Sequence, residues 1–487
     1  MKTPLARLLA LLVITLLLIS APPDWATCGG GGGGGGGGMA SAGPSGGGGT
    51  APDQVYNVPW KVRGDQEPLT GTGLMLVWFP SSNDELKKSS LRVSRTLALY
   101  AQQCVAMEVA STQSVVGAKL AVDTKLPVAV LATPDGTAIV KVENKDGFLK
   151  VDQVEKAVES EMKKRETAVN EQMKDAKDKA KSGDNDGAIT IYKAVLDQKC
   201  LFPGKAKDAA KELKKLGVKD VAEVADGPIF DHARSKQIEH TMWRGYKAEL
   251  DSNYLEAEKI YIEASKMDPA DATPLRYLGE LYRHEIGDWV KARAVFEQIL
   301  AMPADPLSIA VAQHGLGKMT IHEGDFAKGL GLMETSVETY PTALAYRNLS
   351  VYWNSEGNQK KADFYLQKAL ALDPQDPYNL VFAAAFMAGT GHGEEALKIA
   401  KANENLLPAS YNLAAVYAQT GQKGKALALL KRHFFEYERY QAVRSKEMME
   451  ARVDAVFLSI RSDPTFVALT KDSDGKLDPS RTMSSRP

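Results

Sequence analysis

The sequence predicts two folded parts in one chain, an α/β domain over residues 55–165 and an all-α solenoid of stacked helix pairs over residues 237–440. Three observations predict this. From Gln237 to Tyr440 the chain repeats itself about every 34 residues, the period of helical arrays. From Tyr56 to Arg165 short apolar runs alternate with helical stretches, as in a partly parallel sheet. Residues 166–236, rich in Lys, Glu, Asp and Ala, read as a solvated helical connector containing one early repeat unit.

The array is justified position by position. A small residue recurs on the second helix of each unit, at Ala257, Ala292, Gly329, Ala362, Ala396 and Ala426, with spacings of 35, 37, 33, 34 and 30. Large apolar residues follow by four, as Tyr261, Phe296, Met333, Leu366 and Leu430. First helices carry their own small residue at Gly245, Gly279, Gly317, Ser350, Ala384 and Ala414. Gly287, Gly324, Gly357, Gly391 and Gly421 mark the turns, and Pro269, Pro303, Pro341, Pro374 and Pro408 close units. Antiparallel helices approach closely only where side chains are small, and Pro stops the helix it follows. No single pair buries its apolar face, so neighbours must stack.

These marks resemble the tetratricopeptide repeat family. The segment Leu275–Leu300 has that family's Leu-Gly, Tyr, Ala and Phe in place, with one extra residue in the turn. Gly357–Pro374 matches equally well, and Lys179–Gln198, with Gly183, Ala188 and Tyr192, gives the early unit. The resemblance implies a right-handed superhelix of about seven helix pairs that binds protein or peptide partners.

The α/β domain rests on its runs. Gly73–Pro80 is a continuous apolar stretch, the mark of a buried strand, and Asp84–Tyr100 reads as a helix. Cys104–Ser111 is a second strand, and Leu126–Asn144 reads as two strands joined at Pro134-Asp135-Gly136. A helix follows from Val151. This order resembles the thioredoxin fold, with Lys125-Leu126-Pro127 at that family's cis-proline. The resemblance fails where the redox pair belongs: Pro80, Ser81, Ser82, Asn83 and Asp84 offer no thiolate at the helix start. The expected domain is therefore thioredoxin-like without CxxC, used for docking. Cys104 lies at the far end of that helix and cannot stand in, Cys200 reads as a single buried or free thiol, and three cysteines make no disulfide framework.

The first residues read as an export signal over 1–27. Lys2 and Arg7 precede the apolar run Leu8–Ile19, too short to span a bilayer. Cys28 and ten glycines follow, which resembles a bacterial lipoprotein with Cys28 lipidated and residues 28–54 as a flexible Gly-rich tether. Before Cys28 stand Trp25, Ala26 and Thr27, where that family has Leu, a small residue, then Gly or Ala; ordinary secretion after Ala21 or Ala26 is the alternative. The expected place is the periplasmic or cell-surface side of a bacterial membrane, held by a lipid anchor. Residues 441–470 read as a C-terminal helical cap and 471–487 as a disordered tail. The nearly all-apolar Tyr378–Gly391 needs cover on both sides, one from neighbouring repeats and the other from the segment after Tyr440 or from a partner.

No chemistry is expected. Net charge is −1, from 60 basic and 61 acidic residues, giving no support for nucleic-acid binding. Gly389–Gly393 lacks the Lys-Ser/Thr of a phosphate loop and falls on a repeat turn. Asp472–Gly475 would put Thr470 and Arg481 where a calcium loop needs carboxylates. His284-Glu285 and His322-Glu323 lack a second His one turn on. The expectation is no cofactor, no metal and no catalytic residue.

In the family implied, partners lie along first helices. One turn before Gly279, Gly317 and Ser350 stand Arg276, His314 and Arg347, with Arg283 and Lys318 further along. Glu280 is the main opposing charge. Four fixed cations against one carboxylate imply a groove for an acidic segment or a chain-terminal carboxylate; a solvated helix face is the alternative. Glu280 and Val351 replace the Asn of the family's carboxylate clamp. The reading is a non-catalytic, membrane-tethered protein-interaction scaffold. The alternatives are an exported holdase of chaperedoxin-like architecture and a thiol-disulfide oxidoreductase.

Overall fold

The computed structural model describes residues 55–471 except 252, 373, 375, 408–409, 438–443, 446, 449–450 and 453. The expected export signal, Cys28, the tether and residues 472–487 lie outside the described residues.

Strands β1 (Lys61–Val62), β2 (Leu74–Phe79), β3 (Val105–Val109), β4 (Val128–Ala132) and β5 (Ala138–Glu143) form one sheet, ordered β1-β3-β2-β4-β5. β1 and β2 run parallel to β3, whereas β4 is antiparallel to β2 and β5. Central β2 is buried throughout. Its alternate side chains serve two cores: Leu74, Leu76 and Trp78 one, Met75, Val77 and Phe79 the other. The Leu126–Pro127 peptide is cis.

The helix expected over Asp84–Tyr100 is two, α1 (Asn83–Lys88) and α2 (Arg95–Gln102), with a 3-10 turn at Ser90–Arg92 between them. Three serines cause the break. Ser82, Ser89 and Ser94 each accept a hydrogen bond from a backbone N–H just ahead and so start a new turn. Ser82 is thus a helix cap. A short α3 (Gly117–Leu120) precedes β4.

Helix α4 (Val151–Lys181) runs 31 residues and corrects the expected boundary at 165/166. No Gly or Pro interrupts it, and its buried residues Val154, Val158, Met162, Val169 and Ala176 keep one stripe along both halves. The first half lies on the sheet side of the core; the second pairs with α5 (Asn185–Leu196), followed by α6 (Pro203–Lys215). Trp78, Val158, Ala176, Tyr192 and Leu213 belong to one apolar cluster, so domain and connector share a core. A disulfide joins Cys104 to Cys200, 96 residues on, and corrects the reading of Cys200 as a single thiol. Sequence spacing hides this pair, because folding of α4–α6 against the sheet brings the two together.

The array follows as α7 (His232–Leu250) with α8 (Tyr254–Met267), α9 (Ala272–Glu280) with α10 (Trp289–Ala301), and α11 (Pro306–His322) with α12 (Phe326–Thr339). Then come α13 (Ala343–Ser355) with α14 (Gln359–Leu372), α15 (Pro377–Gly389) with α16 (Gly393–Asn403), and α17 (Tyr411–Gln419) with α18 (Lys423–Arg432). With α4–α5 these make seven pairs among the described residues. Gly357 and Gly421 close first helices at φ of 74° and 78°, a left-handed conformation that costs other residues energy. Ala257, Ala292, Ala362, Ala396 and Ala426 are fully buried. A Cβ on Gly245 would meet Tyr261 at 2.6 Å, one on Gly279 would meet Phe296 at 2.4 Å, and one on Gly317 would meet Met333 at 2.7 Å. The extra residue in the third pair is absorbed by a wider, π-helical turn, Leu281–Ile286, at the end of α9.

Arg95 joins the sheet to the array. Its guanidinium has no exposed surface and donates to Asp268 at 2.6 Å and Asp271 at 3.2 Å, both in the loop before α9. It also donates to the Ile229 carbonyl at 2.9 Å and to the Ser235 hydroxyl at 2.6 Å. Tyr56 donates to Asp271 at 2.8 Å, Tyr277 to the Val55 carbonyl at 3.2 Å, and Tyr340 to the Trp60 carbonyl at 3.1 Å. The extended stretch before β1 therefore lies along the array.

This packing has measurable consequences. Gly317→Ala puts a Cβ 2.8 Å from the Gly329 carbonyl oxygen, and backbone cannot yield cheaply. The overpacking, about 1–3 kcal/mol, exceeds the ~1 kcal/mol that alanine gains over glycine in a helix. Gly331→Ala meets nothing within 4 Å and should stabilise by about 0.5–1 kcal/mol. Denaturation midpoints shifted in opposite directions are expected; a shared sign defeats the register. Separately, Arg95→Met leaves Asp268 and Asp271 buried without their cation and should cost about 3–5 kcal/mol in thermal unfolding.

An inner charged network as candidate functional site

Five of the six residues expected in the groove are buried rather than solvent-facing: Arg276, Glu280, Arg283, His314 and Lys318. The open, solvated groove is thereby corrected to a covered network. Every residue of α9 is buried, because helices flank it and the Val55–Tyr56 stretch packs in the same core. Arg347 alone is partly exposed; it donates to the Asn379 side chain at 2.5 Å and lies 3.8 Å from Asp376.

The π-turn explains why three successive charged residues go inward. An α-helix would spread Arg283, His284 and Glu285 around its circumference; the wider turn buries all three. Arg283 binds Glu280 with two bonds, Nε to Oε1 at 3.0 Å and Nη2 to Oε2 at 2.6 Å. His284 Nδ1 meets Glu285 Oε1 at 2.8 Å. Across the network, the Asn348 amide donates to His314 Nε2 at 2.9 Å. From the far end of the array, His433, in a second π-turn at His433–Tyr437, meets Glu447 at 3.0 Å.

The titration behaviour records these neighbours. Burial raises the pKa of Glu280, but the charge and hydrogen bonds of Arg283 outweigh it and hold the carboxyl below its ordinary value. Burial, then Arg283 and Lys318, lower His314 to about 3 against the pull of Glu280, so the ring is neutral. Burial lowers His284, yet Glu285 outweighs it and the net shift is upward. Burial raises Glu447, and His433, His284 and Lys318 more than offset this.

Two carboxylates that sequence reasoning left out therefore balance the expected excess of cations. Arg276, Arg283 and Lys318 stand against Glu280, Glu285 and Glu447. Arg276 is the exception to local pairing: it is 1% exposed, and its Nε and Nη2 have no hydrogen-bond partner. The missed residues did leave one signal, the run Arg283-His284-Glu285 in a repeat one residue too long. Among the described residues no group of His, Cys, Asp and Glu is arranged to hold a metal, and no helix is long and apolar enough to cross a membrane.

Residues 251–309, which include α8–α10, match the family model described as Tetratricopeptide repeat. Over these residues the chain carries tetratricopeptide repeat sequence. No curated protein matches the sequence. Among solved structures, a thermophilic tetratricopeptide repeat protein of Thermus thermophilus is 19% identical over 38% of this chain and 99% of its own, with a TM-score of 0.32. A tetratricopeptide repeat protein of Parabacteroides merdae is 13% identical over 62% of this chain and 99% of its own, at 0.31. YrrB, whose structure is described as having an unusual peptide-binding site, is 20% identical over 38% and 95%, at 0.25.

The neutral His314 sets a pH dependence. Its pKa is about 6.5 unfolded and about 3 folded, so the folded state binds fewer protons between those values. The stability it contributes is complete above pH 6.5 and is lost as pH falls toward 3. The upward-shifted His284 acts in the other window, with stability lost as pH rises above 6.5. Between pH 6.5 and 5 His314 should therefore lower stability by up to about 1.4 kcal/mol per pH unit. His314→Gln should flatten that limb in chemical denaturation; an unaltered slope rejects the assignment.

Proposed function

We propose that this protein is a non-catalytic scaffold that binds protein or peptide partners along the first helices of its repeats, outside the cytoplasm, on a lipid anchor at Cys28. The observation that carries the binding reading is Arg276. A buried guanidinium with two unsatisfied nitrogens is costly, and a partner's carboxylate arriving there would offset that cost through charge-assisted hydrogen bonds. The Cys104–Cys200 disulfide supports export, since such bonds persist in oxidising compartments.

The N-terminal unit reads as a thioredoxin-like fold without its redox pair, supported by the strand order and by Pro127 before β4. Ser82 caps a helix where that chemistry would need a thiolate. In this reading the unit shields and positions the array.

A photo-crosslinking residue placed at Arg347, on the partly exposed lip of the network, should capture discrete partners in intact cells. The same residue at Val290, 83% exposed on a second helix, should not. Identical adducts at both positions, or none at 347, reject the site. Mass spectrometry of the native N-terminus should find a diacyl-modified Cys28; another first residue, or an unmodified Cys28, rejects the anchor.

A further inference from the structure

The sheet of the N-terminal unit ends differently at its two edges. One edge is β1, two residues long. The array is tied down beside it, because Tyr277 and Tyr340 bond the Val55 and Trp60 carbonyls in the stretch that leads into β1. The other edge is β5, Ala138–Glu143, which pairs with β4 on one side and with no strand on the other among the described residues. Outside the ladder, residues 138–143 make no backbone hydrogen bond to the described chain. Such an edge presents a row of open N–H and C=O groups that another strand can use.

The two faces of β5 are unlike. Ile139, Val140 and Val142 pack against the core beneath the sheet. Lys141 and Glu143 are exposed on the opposite face, two residues apart. Neither forms an ion pair with the described residues. A lone lysine on an edge ordinarily turns other strands away. A lysine and a glutamate at i and i+2 act differently, because they complement a reversed copy of themselves.

The pleat restricts how such a copy can align. Directly opposite residues share a face, so Lys141 must meet an outward residue of the incoming strand. With Lys141 on the two-fold axis, two ammonium groups would oppose each other. With Val140 on the axis, Lys141 would stand against the partner's Ile139. With Val142 on the axis, Lys141 stands against the partner's Glu143, and Glu143 against the partner's Lys141. That alignment also sets Val142 against the partner's Val142.

We propose that β5 is a self-recognition edge, on which a second copy of this chain pairs antiparallel about Val142. Five strands from each copy then form one continuous sheet. The arrays, tied at the two β1 edges, stand at opposite ends of it. Two linked arrays raise each other's effective concentration on a partner with two binding segments. Pairing through β5 does not require the array to bind anything, so loss of capture at position 347 and a monomeric chain count against different claims.

The test is sedimentation velocity over a concentration series, on the full chain carrying Cys28→Ser so that no acyl group brings copies together. The parent should show a monomer–dimer equilibrium. Lys141→Glu sets glutamate against glutamate at both pairs, and Glu143→Lys sets lysine against lysine. Each alone should weaken the dimer roughly tenfold or more, with an unchanged circular dichroism spectrum. Mixing the two variants restores both opposite-charge pairs and should restore dimers of unlike copies at parent strength. A parent that stays monomeric, a single variant that dimerises as tightly as the parent, or a mixture no tighter than its components overturns the proposal. Should a charge variant fail to fold, cysteine trapping decides. Directly opposite Cα atoms of antiparallel strands lie about 4.5–5.5 Å apart, within disulfide reach, so Val142→Cys should yield covalent dimers on oxidation and Ala138→Cys none. No crosslink at 142, or equal crosslinking at both positions, overturns the proposal.

Discussion

The guanidinium of Arg95, sealed between Asp268 and Asp271, fixes how the two halves of the chain meet. Apolar burial is non-directional and would tolerate many orientations of the sheet against the helices. A planar cation with several donors tolerates few, because each misplaced bond leaves a buried polar group unsatisfied. Burial lowers the pKa of Arg95, but Asp271, Tyr56 and Asp268 outweigh it, so the group stays charged. The consequence reaches well beyond the ion pair. With Arg95 in place, the extended stretch from Val55 to Trp60 lies on the array, and α9 loses its exposed face. The charges of α9 are buried for that reason.

Much of the fold is legible in the sequence because it rests on local rules. The small residues of the array face the large residues four positions past their counterparts, Gly279 against Phe296 and Gly317 against Met333. Four of the five strands of the N-terminal unit stand out as apolar runs, whereas the two-residue β1, Lys61–Val62, does not. What stays hidden is non-local. Nothing near Cys104 or Cys200 in sequence indicates that they meet, and nothing near Asp268 indicates a buried arginine from residue 95. The domain boundary fails for a related reason: composition turns polar after Arg165, while the buried stripe of α4 continues unchanged to Ala176.

The candidate site shows the same division. Helical spacing brings Arg276, Glu280, Arg283, His314 and Lys318 into one region, which sequence register anticipates. Register alone does not tell an exposed face from a covered one, since Val55 and Tyr56, more than two hundred residues earlier in the chain, pack into the core that buries α9. Nor does it count charge correctly, because Glu285 turns inward only through a π-helical widening and Glu447 arrives from a segment more than a hundred residues away.

A solenoid needs polar closure at both ends, and here the two ends are closed by different means. Residues 454–470 close the C-terminal end as a simple apolar cap. At the N-terminal end, α4 carries the sheet's core directly into the first helix pair, and the Cys104–Cys200 bond holds the two together. A unit joined through one continuous helix, one core and a covalent link is not a module hinged to a rod. Its sheet shares a core with the first repeat, and the extended stretch from Val55 to Trp60 is bonded to Tyr277 and Tyr340 of the array. Just before the C-terminal cap the buried residues include the charged Arg444 and Glu447, whereas the cap itself buries Phe457 and Phe466.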